Sequence, residues 1–490
     1  MSKKKLIGAA LAASAIGAVA VKAARFVPEK KAWAPLPDDN VNVEKYIDDL
    51  SSAIKIPTVS YFDEALVDWS RFEELHRLLE ERFPLVHSKL ELEIVSRASL
   101  MYRWKGKRPE LEPMAMLAHQ DVVPISSGTE EDWVYPPFSG EVADGFIWGR
   151  GALDIKNHLI GVLEAVEALL AEGFEPERDV YLCFGHNEEV MADKENCGAI
   201  CMMELLKSRG VRLDSVLDEG GAMLPIKVPG IIDTKLAGIG VAEKGHCDFE
   251  LTIRAKGGHS SQPPVHTALG QLAAAIKDLE DNQFKAEMTP MLTEIFDRLG
   301  RKLSYPVRLL ACNHKLLKPV LLEIIKQIPP VASMSRTTTA VTMASGSPAP
   351  NVLPQKASAT VNFRIMPGET MEDVEAHIRK VVKNKNIEVR LLKGKDPSKI
   401  SPTDSRAFNA ITDITNSLDV NAVVTPYLVM GGTDARSYEP ICDNIYRYSP
   451  FTMSTELLLT THGTNECIPI DTLGDALRFF KQYIRLVSAE

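Results

Sequence analysis

The chain has 490 residues, of which 45% are hydrophobic and 25% charged, close to the average for soluble globular proteins, so disorder, collagen and coiled coil are excluded as its main architecture. At roughly 100–200 residues per domain it should divide into two to four domains. Its net charge of −10 argues against a polyanionic partner, and nucleic acid is not expected.

MSKKK opens the chain and is followed by sixteen uncharged residues, 6–21, before Lys22 and Arg25. That run is short of the about 20 residues that cross a bilayer. A basic start, a short apolar run and small residues near Ala18 and Ala20 fit a signal peptide or membrane anchor over 1–25, and hence a secreted or membrane-anchored protein. A frayed amphipathic leader is the plainer alternative. Residues 26–43, with several prolines, read as a linker. Seven scattered cysteines give neither a disulfide framework nor a pair of CxxC zinc hooks, and Cys183 and Cys247, in apolar runs, read as buried thiols.

From 44 to 242 helix and strand alternate: the helical WSRFEELHRLLEERF, the strand MAMLAH, the helix NHLIGVLEAVEALLAEG, the strand DVYLCF and the helix AICMMELLKSRG. This order predicts βαβ units and a mostly parallel sheet under helices. Over 243–396 the order becomes strand CDFELTIRA, helix TALGQLAAAIKDLE, strands RTTTAVTMA and KASATVNFRI, helix TMEDVEAHIRKVV and strand IEVRLLK. That β-α-β-β-α-β sequence is the split βαβ of a ferredoxin-like domain. An extra segment, 281–335, interrupts it with helical runs of its own. Helix and strand alternate again over 397–490, so the smaller domain is inserted into the larger.

Acidic and histidine residues gather at the ends of the strands of the larger domain, where open α/β sheets bind ligands. In AHQDVVP, His119 and Asp121 lie two apart, on one face if the strand continues, and the acid can hold the second imidazole nitrogen of a metal-bound histidine. Alone the pair is weak evidence. In GRGALDIK, Asp154 precedes a helix that it could simply cap. In GHNEEV, Glu188 and Glu189 end an apolar strand. Adjacent carboxylates repel unless a cation or proton separates their roles, which suggests one acid on a metal and one free to take a proton from water. VLDEGG repeats the pattern with Asp218 and Glu219, and THGTNE supplies His462. Two histidines and several carboxylates form a mixed N/O set suited to zinc, with enough acids for one to be shared between two ions.

The strings AHQDVVP, GRGALDIK, GHNEEV, VLDEGG, GGHSSQP, APNVLP, NFRIMPGET, GGTDAR and THGTNE, in this order, resemble the motif set of the dinuclear-zinc metallopeptidase and amidohydrolase family that includes aminoacylase-1, carboxypeptidase G and carboxypeptidase S. The likeness runs from about residue 45 to the C-terminus and is greatest to the carboxypeptidase S branch, which includes N-fatty-acyl-amino-acid synthase/hydrolases. It implies a zinc-peptidase catalytic domain with a ferredoxin-like lid and two zinc ions per subunit. Asp154 would bridge them, His119 and Glu219 completing one site and Glu189 and His462 the other. Asp218 is as well placed as Glu219 by spacing. Glu188 would be the general base and Asp121 would orient His119. The peptide after the bridging acid, Asp154–Ile155, would be cis.

In the lid, the resemblance implies that His259 stabilises an oxyanion, in dimeric relatives reaching the neighbouring subunit's site, so a homodimer through the lid is expected. Asn351 and Arg364 would hold the substrate's carbonyl and carboxylate, a guanidinium being matched to a carboxylate by two parallel hydrogen bonds. Gly431 and Gly432 would let the backbone approach the substrate. The segment 281–335 departs from the simplest family pattern and leaves open whether His259 acts in trans. Its apolar runs could be core, a dimer surface or a channel for an acyl chain. The expected activity is hydrolysis, by metal-activated water, of an amide next to a free carboxylate, in a peptide or an N-acyl amino acid. Reversal would make it a fatty-acyl-amino-acid synthase. A non-catalytic binding protein is the rival from another class. There is no GxSxG elbow to suggest a serine nucleophile.

Overall fold

The structure, a computed structural model, describes residues 19–28, 33–37, 41–190 and 196–489. Most of the predicted leader and part of the predicted linker lie outside these residues. Among the described residues no helix is long and apolar enough to cross a membrane.

Two wholly buried strands, Met114–His119 and Val180–Gly185, form the centre of a nine-stranded sheet. Their unbroken apolar character follows from burial on both faces, as parallel strands under helices require. Four neighbouring strands run parallel: Val180–Gly185, Met114–His119, Ser215–Asp218 and Ile445–Arg447. Their shared direction brings their carboxyl ends together, and the register sets His119 opposite Gly185. Helix Lys156–Ala171 covers this sheet and packs against the amphipathic C-terminal helix Leu473–Val487. Leu163, Val166, Phe480 and Ile484 are fully buried in the shared core.

The periphery of the sheet is antiparallel. Glu91–Val95 and Ser99–Trp104 form a hairpin at one edge, and Met223–Val228 pairs with Ile232–Glu243 near the other. The βαβ reading did not contain these pairs, because short connections without a helix leave no 3.6-residue period to mark them.

After Glu243 the chain enters a four-stranded antiparallel sheet ordered Thr338–Ser345, Lys356–Ile365, Gly245–Arg254, Glu388–Lys395. This spatial order is that of a ferredoxin-like unit. Alternate residues of its two middle strands are buried, and helices Ala268–Asp281 and Met371–Val381 close that face over Phe249, Leu251, Val361 and Phe363. Within 281–335 the chain forms helices Pro290–Leu299, Tyr305–Ala311, Lys318–Ile325 and Pro329–Ser333. They do not extend the lid core. Pro290–Leu299 returns to pack on the catalytic sheet at Val423–Val429.

Candidate active site

Three parallel strands deliver the first side chains. His119 ends the first strand, Glu188 and Glu189 follow the second by a short turn, and Glu219 follows the third. The strand stops at His119, so Asp121 does not share a pleated face with it. The backbone turns instead, and Asp121 Oδ1 comes back to 3.4 Å from His119 Nδ1. Asp121 also accepts the Ser60 hydroxyl at 2.5 Å and the N–H groups of Glu188 and Glu189 at 3.1 Å each. Asp121 thus ties the imidazole, by its main-chain carbonyl 3.0 Å from Nδ1 and by its buried carboxylate, to the turn that carries both glutamates.

Asp154 does not cap the helix behind it. Its neighbour Ile155 occupies that position without a side-chain cap, and the Asp154–Ile155 peptide is cis. The Asp154 carboxylate faces two imidazoles: Oδ1 is 3.1 Å from His119 Nε2 and Oδ2 is 3.0 Å from His462 Nε2. Glu219 Oε1 lies 3.2 Å from His119 Nε2, and Glu189 Oε2 lies 3.0 Å from His462 Nε2. Glu188 approaches His119 only to 4.0 Å. Asp218 is spent elsewhere, accepting the N–H groups of Glu219 and Ala435 at 2.8 Å each. His462 sits at φ +61°, a conformation rare for a residue with a side chain, in the loop that brings it over Asp154.

The electrostatics show what the cluster lacks. Burial pushes Glu219 up to about 8 against the pull of His119. Burial raises Glu188 well above the usual glutamate range, and the charges of Glu219, Asp434 and Glu189 add to the effect. Burial opposes charging of His119, but Glu219, Asp121 and Asp154 outweigh it and hold its pKa well above 6.5. Asp154 and Glu189 raise His462 to about 10. Carboxylates outnumber the imidazoles in a water-poor site, and one buried oxygen, Glu189 Oε1, has no hydrogen-bond partner. Such an arrangement is costly without cations. Ligand atoms of His119, Asp154 and Glu189 lie mutually within 4.8 Å, as do those of His119, Glu188 and Glu219. The donor set, imidazole and carboxylate, is one that zinc accepts.

Two residues inside the recognised motifs support the site without having been singled out from sequence. Glu466 of THGTNE is fully buried, and its Oε1 accepts the N–H groups of Gly151, Leu153 and Asp154 at 3.0, 2.8 and 3.2 Å. Arg150 pairs with its Oε2 at 2.5 Å. Asp434 of GGTDAR lies against Gly185, where an added Cβ would come within 2.3 Å of its Oδ2, and burial pushes its carboxyl up to about 8. Only the motif strings marked either residue, since an isolated acid in a loop has no periodicity to reveal it.

The remaining predicted residues have partners outside the cluster. His259 is exposed in a short hairpin, where Gly258–His259 pairs with Val352–Leu353, and its Nδ1 accepts from the Ser261 N–H at 3.1 Å. Asn351 adjoins it, its carbonyl accepting the Ser260 N–H at 3.0 Å. Arg364 is exposed on the strand Lys356–Ile365, opposite His246 and Thr338. Gly431 and Gly432 follow the strand Val423–Val429, and an added Cβ on Gly432 would stand 3.6 Å from Glu243 Oε2.

Residues 115–486 match the model of peptidase family M20/M25/M40. The chain belongs to this family. It is a metallohydrolase, and relatives carry both names that the sequence suggested. The chain is 35% identical over 451 residues to the N-fatty-acyl-amino acid synthase/hydrolase PM20D1 of Xenopus tropicalis, covering 90% of this chain and 86% of the relative. It is 33% identical over 446 residues to the probable carboxypeptidase S-like 2 of Dictyostelium discoideum, covering 89% and 84%. Carboxypeptidase S of Saccharomyces cerevisiae is 31% identical over 496 residues, covering 91% and 84%. Among solved structures, the M20 family metallo-carboxypeptidase Sso-CP2 from Sulfolobus solfataricus shares the fold, with a TM-score of 0.63 at 19% identity over 90% of this chain and 99% of that one.

Proposed function

We propose that this chain is a two-zinc amidohydrolase that cleaves an amide beside a free carboxylate. The observation that carries this reading is the Asp154 carboxylate, which offers one oxygen to the His119 side and the other to the His462 side. His119, Asp154 and Glu219 would hold one zinc, and Asp154, Glu189 and His462 the other. Zinc at such a site lowers the pKa of the attacking water and polarises the scissile carbonyl. Glu188 lies within reach of His119 and Glu219 but comes no closer than 4.0 Å to the His119 ring, and we assign it not to a metal but to taking the proton from water and returning it to the leaving amine. Asp121 fixes the His119 ring so that Nε2 faces the cluster.

The lid supplies substrate contacts. Arg364 takes the free carboxylate and Asn351 the carbonyl, while Gly431 and Gly432, after strand Val423–Val429 of the catalytic sheet, let the backbone come close. Because His259 is exposed and its hydrogen bonds are to its own hairpin rather than to the cluster, we assign it to the site of a second copy, in a homodimer joined through the lids. There it donates to the developing oxyanion. Peptides and N-acyl amino acids both fit these contacts, and condensation of an acid with an amino acid is the same chemistry reversed. The leader over 1–25 is assigned to export or tethering.

The deciding assay uses the full chain with zinc on N-acetyl amino acids, N-oleoyl amino acids and blocked dipeptides. Hydrolysis of at least one class, lost on chelation and restored by zinc, is expected. No hydrolysis of any class by protein shown to hold zinc would overturn the reading.

A further inference from the structure

The inserted helices carry an asymmetry for which amide hydrolysis has no use. Between residues 300 and 328 lie Arg301, Lys302, Arg308, Lys315, Lys318 and Lys326 against Glu323 alone, in a chain whose net charge is −10. Tyr305, Leu310, Leu316, Val320, Ile324 and Ile328 are exposed over the same stretch, Leu316 at 70% and Val320 at 54%. Helix Lys318–Ile325 is apolar on both sides: Leu321 and Ile325 are buried, while Val320 and Ile324 face outward. Single exposed apolar side chains are ordinary, but six within one inserted stretch, interleaved with basic residues, mark an interaction surface.

Behind this face is a cavity of about 790 Å³ between the inserted helices and the catalytic sheet. Its walls are aliphatic, with Leu236, Ile295, Leu299 and Val307 among them. Its lining includes Gly221, two residues along the chain from Glu219, and Tyr427, whose hydroxyl would stand 3.9 Å from a Cβ on Gly220. Its wall also includes Leu310, Ile324 and Ile328, three of the exposed residues above, so the cavity runs from the neighbourhood of the metal-type cluster to the cationic face. The N-terminal segment meets the same helices. The Tyr305 hydroxyl donates to the Ala20 carbonyl at 3.2 Å, and the Arg301 guanidinium lies 4.9 Å over the Phe26 ring. In sequence Ala20 lies near the end of the uncharged run 6–21, which follows Lys3, Lys4 and Lys5.

We propose that the 300–328 face seats on an anionic lipid bilayer, with the cavity behind it opening onto the acyl-chain layer and leading a substrate's acyl chain to the site. Basic residues ringing an apolar face are the chemistry of interfacial docking, and each one near anionic headgroups is worth roughly fivefold in partitioning. A second copy is the poorer occupant. A twofold interface would set the six basic residues against their own kind. The delivery half of the proposal rests on the amide-hydrolase reading; the docking half does not.

The test uses the full chain carrying Leu316→Trp, with Val265→Trp on the lid as the control, since Val265 is 94% exposed. Vesicles of phosphatidylcholine and phosphatidylserine with brominated acyl chains should quench the tryptophan at 316 well beyond that at 265, and high salt should weaken the effect. Equal quenching at the two positions overturns docking. So does its absence combined with a shift from dimer to monomer in the double variant Leu316→Asp/Val320→Asp, which would give the face to a second copy. The same double variant should lower hydrolysis of vesicle-borne N-oleoyl-leucine by about fivefold or more. It should leave soluble N-acetyl-leucine within about twofold, as befits surface substitutions. Equal loss on both substrates, or on neither, overturns delivery. If the unaltered chain hydrolyses neither substrate, the amide-hydrolase reading fails, and the bromine quenching still decides docking.

Discussion

Glu466 holds Asp154 in place through the backbone: its Oε1 accepts the Asp154 N–H at 3.2 Å, together with the N–H groups of Gly151 and Leu153. The loop that presents the Asp154 carboxylate is therefore wound around a second carboxylate from the far end of the sequence. The loop is also crowded, since Gly151 sits at φ +89° and a Cβ there would meet Val122 Cγ1 at 2.9 Å. Substitution Glu466→Gln removes the charge from Arg150 and puts an amide N–H₂ where an acceptor is needed. Breaking such a buried pair costs about 3–5 kcal/mol. We expect a lower urea midpoint and zinc affinity reduced about 10–100-fold, as for other residues that orient ligands. Unchanged zinc affinity in a titration of the variant would remove Glu466 from this role.

Glu188 is distinguished from Glu189 by what it fails to touch. Glu189 meets His462 at 3.0 Å, whereas Glu188 comes no closer than 4.0 Å to His119. Exchange of the Glu188 carboxylate for an amide keeps the size and removes the base. Glu188→Gln should retain two zinc ions by elemental analysis and lose about 10²–10⁴-fold in kcat. A variant with normal kcat would refute the assignment, and one that has lost zinc would make Glu188 a ligand.

Much of this centre was legible in the sequence, because its chemistry is concentrated at strand ends. The wholly apolar MAMLAH and DVYLCF could only be buried strands or buried helix segments, and the acids and His that close them stand where ligands bind. Glu219 and Asp218 could not be told apart by spacing. The difference lies in which backbone N–H groups need an acceptor, and Asp218 meets that need for Ala435, 217 positions away. Glu466 was hidden for the same reason, since its partners are more than 300 residues away in sequence. The antiparallel strands 223–228 and 232–243 were missed because a short turn joins them with no helix to set them off, and the longer one is buried without alternation over 239–243.

The Asp121 carboxylate serves four partners at once, and its loss should be felt by all of them. Asp121→Asn leaves one acceptor oxygen but turns a donor either toward the Ser60 hydroxyl and the Glu189 N–H, which share Oδ2, or toward the His119 ring and the Glu188 N–H, which share Oδ1. The His119 ring loses the charge beside it while keeping the Asp121 main-chain carbonyl at 3.0 Å from Nδ1. We expect zinc affinity to fall about 10–100-fold with the fold retained by circular dichroism. Excess zinc should restore much of the activity, because the base at Glu188 is still present. If saturating zinc restores none, Asp121 has a direct part in the reaction.

Lys244 joins the catalytic sheet to the lid at a point where burial makes charge costly. Its Nζ donates to the carbonyls of Ser333 and Arg336 at 2.9 Å each, and burial lowers its pKa to about 7 from 10.5, Glu369 opposing the shift. Between these two values the unfolded chain binds a proton that the folded chain does not. Stability therefore rises with pH across that window and falls as pH drops toward 7. Lys244→Met abolishes this titration while keeping an unbranched side chain in the same space. The difference in unfolding free energy between the two proteins, measured by urea denaturation from pH 7 to 10.5, should shift with pH in favour of the unaltered chain as pH rises. A difference that stays flat across the window would mean that Lys244 keeps its proton in the folded state, held by the two carbonyls and Glu369.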